Sequence, residues 1–469
     1  MKKEIIRPNV KNFIKSLRDM GYNFEIAIAD IIDNSITAKA KEISILATES
    51  PNPIISILDD GIGMTEDDLI EAMRLGSKDP ENTRTDTDLG RFGLGLKTAS
   101  FSQCRKLSVI TKQNNSVYAR QWDLDYIIDS EDWYLIELEN ENLINYPQYN
   151  DLIKYDSGTL IVWESLDNIE TKTFVNTLYS LRDHIALVFH RFLDGEFSKV
   201  NINVNRIPIE PFDPFHTNSN ATQRLHVEKF KPSKEFSFTE VSPYILPHHS
   251  KVSRYDYEKL ATSEGYTKTQ GFYLYRAGRL LVYGTWWGLT KVSEAHKLVR
   301  IKIDIANDQD HLWNIDIKKS IAQPSNKIKK ELNRILGSVL DKGSRIYTGR
   351  GRSINKSSTI PFWKVTIDND QIRFIINKDH PLLKLVRDHS AESEILKGYI
   401  NALEAYLPIT AIQSHLISAP HKINQENLLD DNEINELADK LKKMNLSIEH
   451  LQLLLETELF KNKKELIEK

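Results

Sequence analysis

In the segment EIAIADIIDNSITAKA (residues 25–40), Asp30, Asp33, Asn34 and Thr37 recur at spacings of three and four residues. At helical periodicity they form one polar stripe, with Ile28, Ile31, Ile32 and Ile36 pointing the other way. Such a stripe is either a solvated face or a row of reactive groups on the wall of a cleft. Two later stretches bear on the choice. DDGIGM (59–64) sets an acidic residue before a glycine turn, and LGRFGLGLKTAS (89–100) sets Gly90, Gly93 and Gly95 ahead of a helix-forming run. Glycine lets backbone approach a ligand closely, and exposed amides at a helix start attract anions. Together they favour the cleft reading and are compatible with a nucleotide site.

The surrounding elements can position these groups. EISIL (42–46) and IISIL (54–58) alternate as strands, as do KLSVITK (106–112), VYARQWD (117–123) and GTLIVWESL (158–166). Thr65 caps a helix with Glu66, Asp67 and Asp68 in its first turn. From Gly76 to residue 88 the chain is polar and weakly patterned, which reads as a lid over the triphosphate, with Lys78 and Arg84 facing phosphate or solvent.

This ordered set resembles the ATP site of the GHKL ATPases: DNA gyrase B subunits, heat-shock chaperone ATPases, histidine kinases and MutL. The wording is nearest to MORC-like and MutL-like members, bacterial MORC-type proteins included. The resemblance implies an α+β chain. Residues 1–167 would be a GHKL (Bergerat) two-layer α/β sandwich ATPase domain, and 168–324 a transducer-like (S5-type) α/β domain. Residues 325–469 would be a hairpin followed by a mostly helical C-terminal region.

It also implies roles. In the family pattern an acidic general base and a metal-binding Asn lie four residues apart, as Asp30 and Asn34 do. Asp30 would deprotonate the attacking water, and the Asn34 oxygen is a hard ligand suited to Mg2+. Asp59 would accept from the adenine N6 amine, with Gly61, Gly63 and Met64 forming the turn beside the base. Gly90, Arg91, Phe92, Gly93, Leu94, Gly95, Leu96 and Lys97 would carry the triphosphate, and Thr159 would support Asp59. The second domain of such proteins supplies a lysine to the γ-phosphate; Lys318 and Lys319, in NIDIKKS, are the candidates, with a slight preference for Lys319. Tyr22 either reaches a partner's ATP site or packs on its own domain. Arg276 and Arg279 read as structural ion-pair partners. Two departures stand out: relatives mostly carry Glu where Asp30 stands, and Asp where Thr37 stands. The shorter base predicts slow turnover, with ATP binding without turnover as the alternative.

Composition narrows the classes. One cysteine, Cys104, excludes an intramolecular disulfide framework and a multi-cysteine zinc finger. There is no run of 18 apolar residues, so the expectation is a cytoplasmic protein with no membrane partner. A net charge of −4 makes no overall case for nucleic acid. From Lys318 to Lys356, however, eleven Lys or Arg face only Glu331 and Asp341, a balance of 11 − 2 = +9. GSRIYTGRGRSINKSS (343–358) within it reads as a flexible basic loop, a solvated linker or a DNA-backbone contact. The resemblance further implies an ATP-dependent homodimer acting as a gate on DNA. A restriction or anti-phage role with a nuclease or helicase partner goes with it; a scaffold or a chaperone is the competing class.

Overall fold

A computed structural model describes residues 4, 9–19, 21–49, 52–76, 89, 95–167, 174–262, 264–316, 318–319, 321–351, 360, 363–368, 371–381, 383–384, 393–405, 407, 431–444, 446–457 and 459–460. The chain is a mixed α+β protein that divides into two compact units. One comprises residues 1–246 and 260–340, the other 247–259 and 341–469.

The first unit opens with helices α1 (Val10–Arg18) and α2 (Phe24–Thr37), then strands β1 (Glu42–Thr48) and β2 (Ile54–Asp59). Helix α3 (Glu66–Met73) starts at Thr65, where the hydroxyl and Asp68 form a reciprocal capping box. Helix α4 (Gly95–Gln103) runs directly into β3 (Cys104–Gln113) and β4 (Ser116–Asp123). After α5 (Leu124–Ser130), β5 (Ile136–Glu137), α6 (Asn140–Leu143) and α7 (Tyr149–Lys154) comes β6 (Gly158–Leu166). Next stand α8 (Phe174–Val188), α9 (His190–Leu193), β7 (Asn201–Val204) and β8 (Ile207–Pro208).

These strands form one eight-stranded sheet in the order β5-β4-β3-β6-β2-β1-β7-β8. Alternation along β6 divides its faces. Ile161 and Trp163 join the large core with α2, α4 and α8, whereas Leu160 and Val162 join a smaller core under α6 and α7. The strand at 201–204 pairs parallel with β1 and so extends this first sheet, rather than opening the second domain as its position beyond residue 167 suggested. Its pattern, Ile202 and Val204 inward, fits the large core.

The same unit holds β9 (Gln223–Arg224), β10 (Glu228–Phe230), β11 (Thr239–Ile245), β12 (Gly271–Arg276), β13 (Arg279–Thr285) and β14 (Val299–Ile305). A helix, α10 (Arg254–Ala261), lies between β11 and β12 in the chain. The second sheet runs β10-β11-β14-β12-β13, with β9 on β11. Helix α11 (Asn326–Gly351) covers it through Ile328, Leu332, Ile335, Leu336 and Val339. That helix reaches Gly351, so residues 343–351 are helical where a loop was expected. Glycine lowers helix propensity without forbidding it.

In the second unit, Trp363–Asp368 and Gln371–Ile376 pair as the expected antiparallel hairpin. Helices Ser393–Ala405, Asp431–Lys443 and Ile448–Leu455 follow, the last two meeting through Ile434, Ala438, Leu441 and Leu454. Among the described residues no helix is long and apolar enough to cross a membrane.

Candidate functional site

Helix α2 starts at Asn23, whose side chain accepts from the Ile26 amide at 2.8 Å. Its polar stripe is split. Asn34 and Thr37 are exposed, but Asp30 is 2% and Asp33 0% exposed, so the stripe is no solvated face.

Buried carboxylates need partners. The Tyr22 hydroxyl donates to Asp30 Oδ2 at 3.0 Å, within its own chain. Lys319 Nζ donates to Asp30 Oδ1 at 3.1 Å and to Asp33 Oδ2 at 2.5 Å. Arg279, at the start of β13, sets Nε 2.9 Å from Asp33 Oδ1 and Nη2 3.7 Å from Asp30 Oδ1. The contact of Nε with Asp33 is ionic, since neither atom has hydrogen-bond geometry, and among the described residues the buried Arg279 Nη1 has no hydrogen-bond partner. Burial raises the Asp30 pKa above the usual carboxylate value, against the opposing pull of Lys319 and Arg279. Lys318 turns elsewhere, its Nζ donating to the Gly21 carbonyl at 3.2 Å.

The end of β2 carries Asp59, 4% exposed. Ser35 Oγ donates to its Oδ2 at 2.8 Å and the Gly61 amide to its Oδ1 at 2.9 Å. A carboxylate has about four acceptor positions, so capacity for an amine remains. Burial pushes its pKa up to about 6, with Ser35 and Gly61 pulling the other way. Thr159 lies opposite Asp59 on β6. The Thr159 hydroxyl is 3.3 Å from that of Thr111, which accepts from the Met64 amide at 2.9 Å. Two glycines are steric requirements. A Cβ at Gly63, where φ is +65°, would lie 2.1 Å from the Lys112 carbonyl oxygen, and one at Gly158 2.3 Å from that of Asp59.

Helix α4 begins beside Asp30: a Cβ on Gly95 would stand 3.6 Å from its Oδ2. Its first turn has no acidic residue, which suits an anion. Leu96 is half-buried. Lys97 is buried, and its ammonium donates to the Ala72 carbonyl at 2.9 Å, at the end of α3. Gly90, Arg91, Phe92, Gly93 and Leu94, like Lys78 and Arg84, lie outside the described residues. Leu89 is described; its amide donates to Thr37 Oγ1 at 3.4 Å.

Sequence reasoning did not place Asp33, Ser35, Thr111 or Arg279 in the site. Asp33 was visible on the stripe; Arg279 gave no signal beyond two arginines around a β-turn. Arg276, its companion, pairs with Asp310 at 2.6 and 2.9 Å and donates to the Leu89 carbonyl at 3.3 Å, while Asp308 accepts from the Ser237 amide at 2.7 Å.

Residues 22–159 match the family described as histidine kinase-, DNA gyrase B- and HSP90-like ATPase. They form a GHKL ATPase domain. Curated relatives agree. ATPase morc-1 of Caenorhabditis elegans is 29% identical over 109 residues, 23% of this chain and 12% of that protein. ATPase MORC2B of Mus musculus is 33% identical over 95 residues, 19% of this chain and 9% of that protein. The chain thus aligns with only a small part of each relative's length. The GHKL match ends at Thr159 and leaves out Arg279 and Lys319, the two cations on the α2 carboxylates.

The GHKL family implies Mg2+ with the nucleotide. Asn34 fits such an ion: it is an exposed, hard oxygen donor one turn from Asp30, with no side-chain hydrogen bond among the described residues. Asn34 would hold the ion, whose charge would neutralise that of the phosphates.

Proposed function

We propose that this protein is a Mg2+-dependent, MORC-like ATPase that works as an ATP-gated dimerising clamp. In this reading Asp59 accepts from adenine N6, Asn34 holds magnesium, and the start of α4 receives the phosphates. Asp30 orients and deprotonates the attacking water, and Lys319 meets the γ-phosphate. One observation carries the proposal: Lys319, which follows the second sheet in the chain, donates to Asp30 on the first domain's helix α2. A γ-phosphate that draws this lysine couples nucleotide state to the geometry between the two sheets.

Action on DNA is supported by the basic run between Lys318 and Lys356, of which Lys327, Lys329, Lys330, Arg334, Lys342, Arg345 and Arg350 fall within α11. Action in a restriction or anti-phage system, with a nuclease or helicase, is the cellular setting proposed for it.

The test is light scattering of the full chain with and without a non-hydrolysable ATP analogue and Mg2+. The clamp predicts a doubling of mass with the analogue; an unchanged mass speaks against it. One feature favours a second reading, an ATP-dependent scaffold with little turnover: Asp30 is a methylene shorter than Glu and is occupied by Lys319. Single-turnover hydrolysis separates the two, because equal rates for wild type and Asp30→Ala remove catalysis.

A further inference from the structure

We propose that Asp33 is the resting acceptor of Lys319, competing with the γ-phosphate for its ammonium, and that Arg279 limits how tightly Asp33 holds it. The proposal rests on the ATP reading above and adds to it a cost that distinguishes ATP from ADP.

Lys319 Nζ is nearer to Asp33 (2.5 Å) than to the catalytic candidate Asp30 (3.1 Å). Asp33 is fully buried one turn along the same helix face, so it cannot serve as a solvated charge. Two carboxylates and two cations balance there, so the lysine rests without an uncompensated buried charge.

The two cations differ in freedom. Arg279 belongs to β13, which is paired along β12, so the sheet fixes its position. Lys319 sits on a short turn closed by Asp316, which accepts the Lys319 amide at 3.1 Å and the Ile321 amide on its side chain at 2.9 Å. Its φ of +54° is left-handed, a strained conformation for a residue with a side chain. The long lysine side chain can therefore be transferred while the arginine stays. Arg279 also has capacity in reserve, since its buried Nη1 has no hydrogen-bond partner among the described residues. When Lys319 leaves, Arg279 remains the cation for both carboxylates, and that competition weakens the hold on the lysine.

ATP binding must then draw Lys319 from Asp33, whereas ADP offers no γ-phosphate and leaves it in place. The experiment measures equilibrium affinities of the full chain for a non-hydrolysable ATP analogue and for ADP. Charge-assisted hydrogen bonds set the scale at about one order of magnitude. Asp33→Asn is expected to tighten the analogue relative to ADP on the order of tenfold. Arg279→Gln is expected to shift the same ratio the other way, because Lys319 is then the only cation on the two carboxylates among the described residues. In a Lys319→Ala background, Asp33→Asn should leave the ratio unchanged.

A merely structural Asp33 and Arg279 would move the ratio in one direction, or not at all, and that result overturns the proposal. So does an Asp33→Asn effect that persists without Lys319. If Asp33→Asn does not fold, Arg279→Gln decides alone: an unchanged or tightened ratio overturns it. A wild-type protein that binds neither nucleotide removes the ATP site itself, which is a separate and recognisable outcome.

Discussion

The ammonium of Lys319 donates to the carboxylate of Asp30 at 3.1 Å, although 289 positions separate them in the chain. Asp30 is fixed on α2 by the large core, and Lys319 arrives after the second sheet, beyond the segment that matches the GHKL family. The hydrolytic chemistry of the proposed ATPase thus depends on both sheets. Several consequences are open to measurement.

Asp30→Asn keeps the volume of the side chain and removes its basicity. Hydrolysis should fall by roughly 10²–10⁴-fold, the usual contribution of a positioned general base. Binding of a non-hydrolysable ATP analogue should survive. Single-turnover rates and equilibrium binding measured on one preparation check both halves.

Asp59 gives a pH signature. Its pKa in the fold is about 6 against an ordinary 3.8, so the native state holds this proton more readily than the unfolded chain. The sign follows: this group makes stability fall as pH rises from about 4 through 6, and its effect is flat above. Adenine binding has the opposite trend, because a protonated Asp59 loses acceptor capacity; affinity should drop below about pH 6. Asp59→Asn should weaken adenine nucleotides by about 10- to 100-fold. The nucleotide-free protein should melt at the same or a higher temperature at pH 7, since a buried charge is gone. Titrations and melting curves across pH 5–8 check this.

Gly158→Ala would drive a Cβ to 2.3 Å from the Asp59 carbonyl oxygen. The strands β2 and β6 must then separate at the residue proposed to read adenine. A loss of about 2 kcal/mol or more is expected, with weaker nucleotide binding in the molecules that fold. Chemical denaturation and nucleotide titration measure the two effects.

Much of this was legible in the sequence, and the boundary is physical. Short-range periodicity announced α2, the strands around it and the hairpin at 363–376, because amphipathic spacing is a local property. The Asp59 turn could be read from Gly61 and Gly63, and the structure gives Gly63 a backbone approach that other residues cannot meet, whereas the need for Gly158 shows only once β2 and β6 are paired. What stayed hidden is pairing over long distances. Nothing near Arg279 reveals that it lies against Asp33, and nothing in VNINV reveals that it pairs with β1. The polar stripe on α2 left two readings open, and only Lys319 and Arg279, arriving from far along the chain, show that Asp33 belongs to a buried wall.

Arg276 and Asp310 test the second sheet, although Arg276 also donates to the Leu89 carbonyl at 3.3 Å. Arg276 is 2% and Asp310 8% exposed, and they are joined by two contacts. Arg276→Ala leaves a carboxylate with its main cation removed and should cost about 3–5 kcal/mol. A change below about 1 kcal/mol in urea unfolding would show that Asp310 finds other compensation.

The most direct measurement is the structure of the full chain with a non-hydrolysable ATP analogue and Mg2+. The proposed ATPase predicts adenine N6 on Asp59, magnesium on Asn34, phosphates at the start of α4, and Lys319 moved from Asp33 to the γ-phosphate. A cleft without nucleotide, or a purine bound away from Asp59, would contradict it.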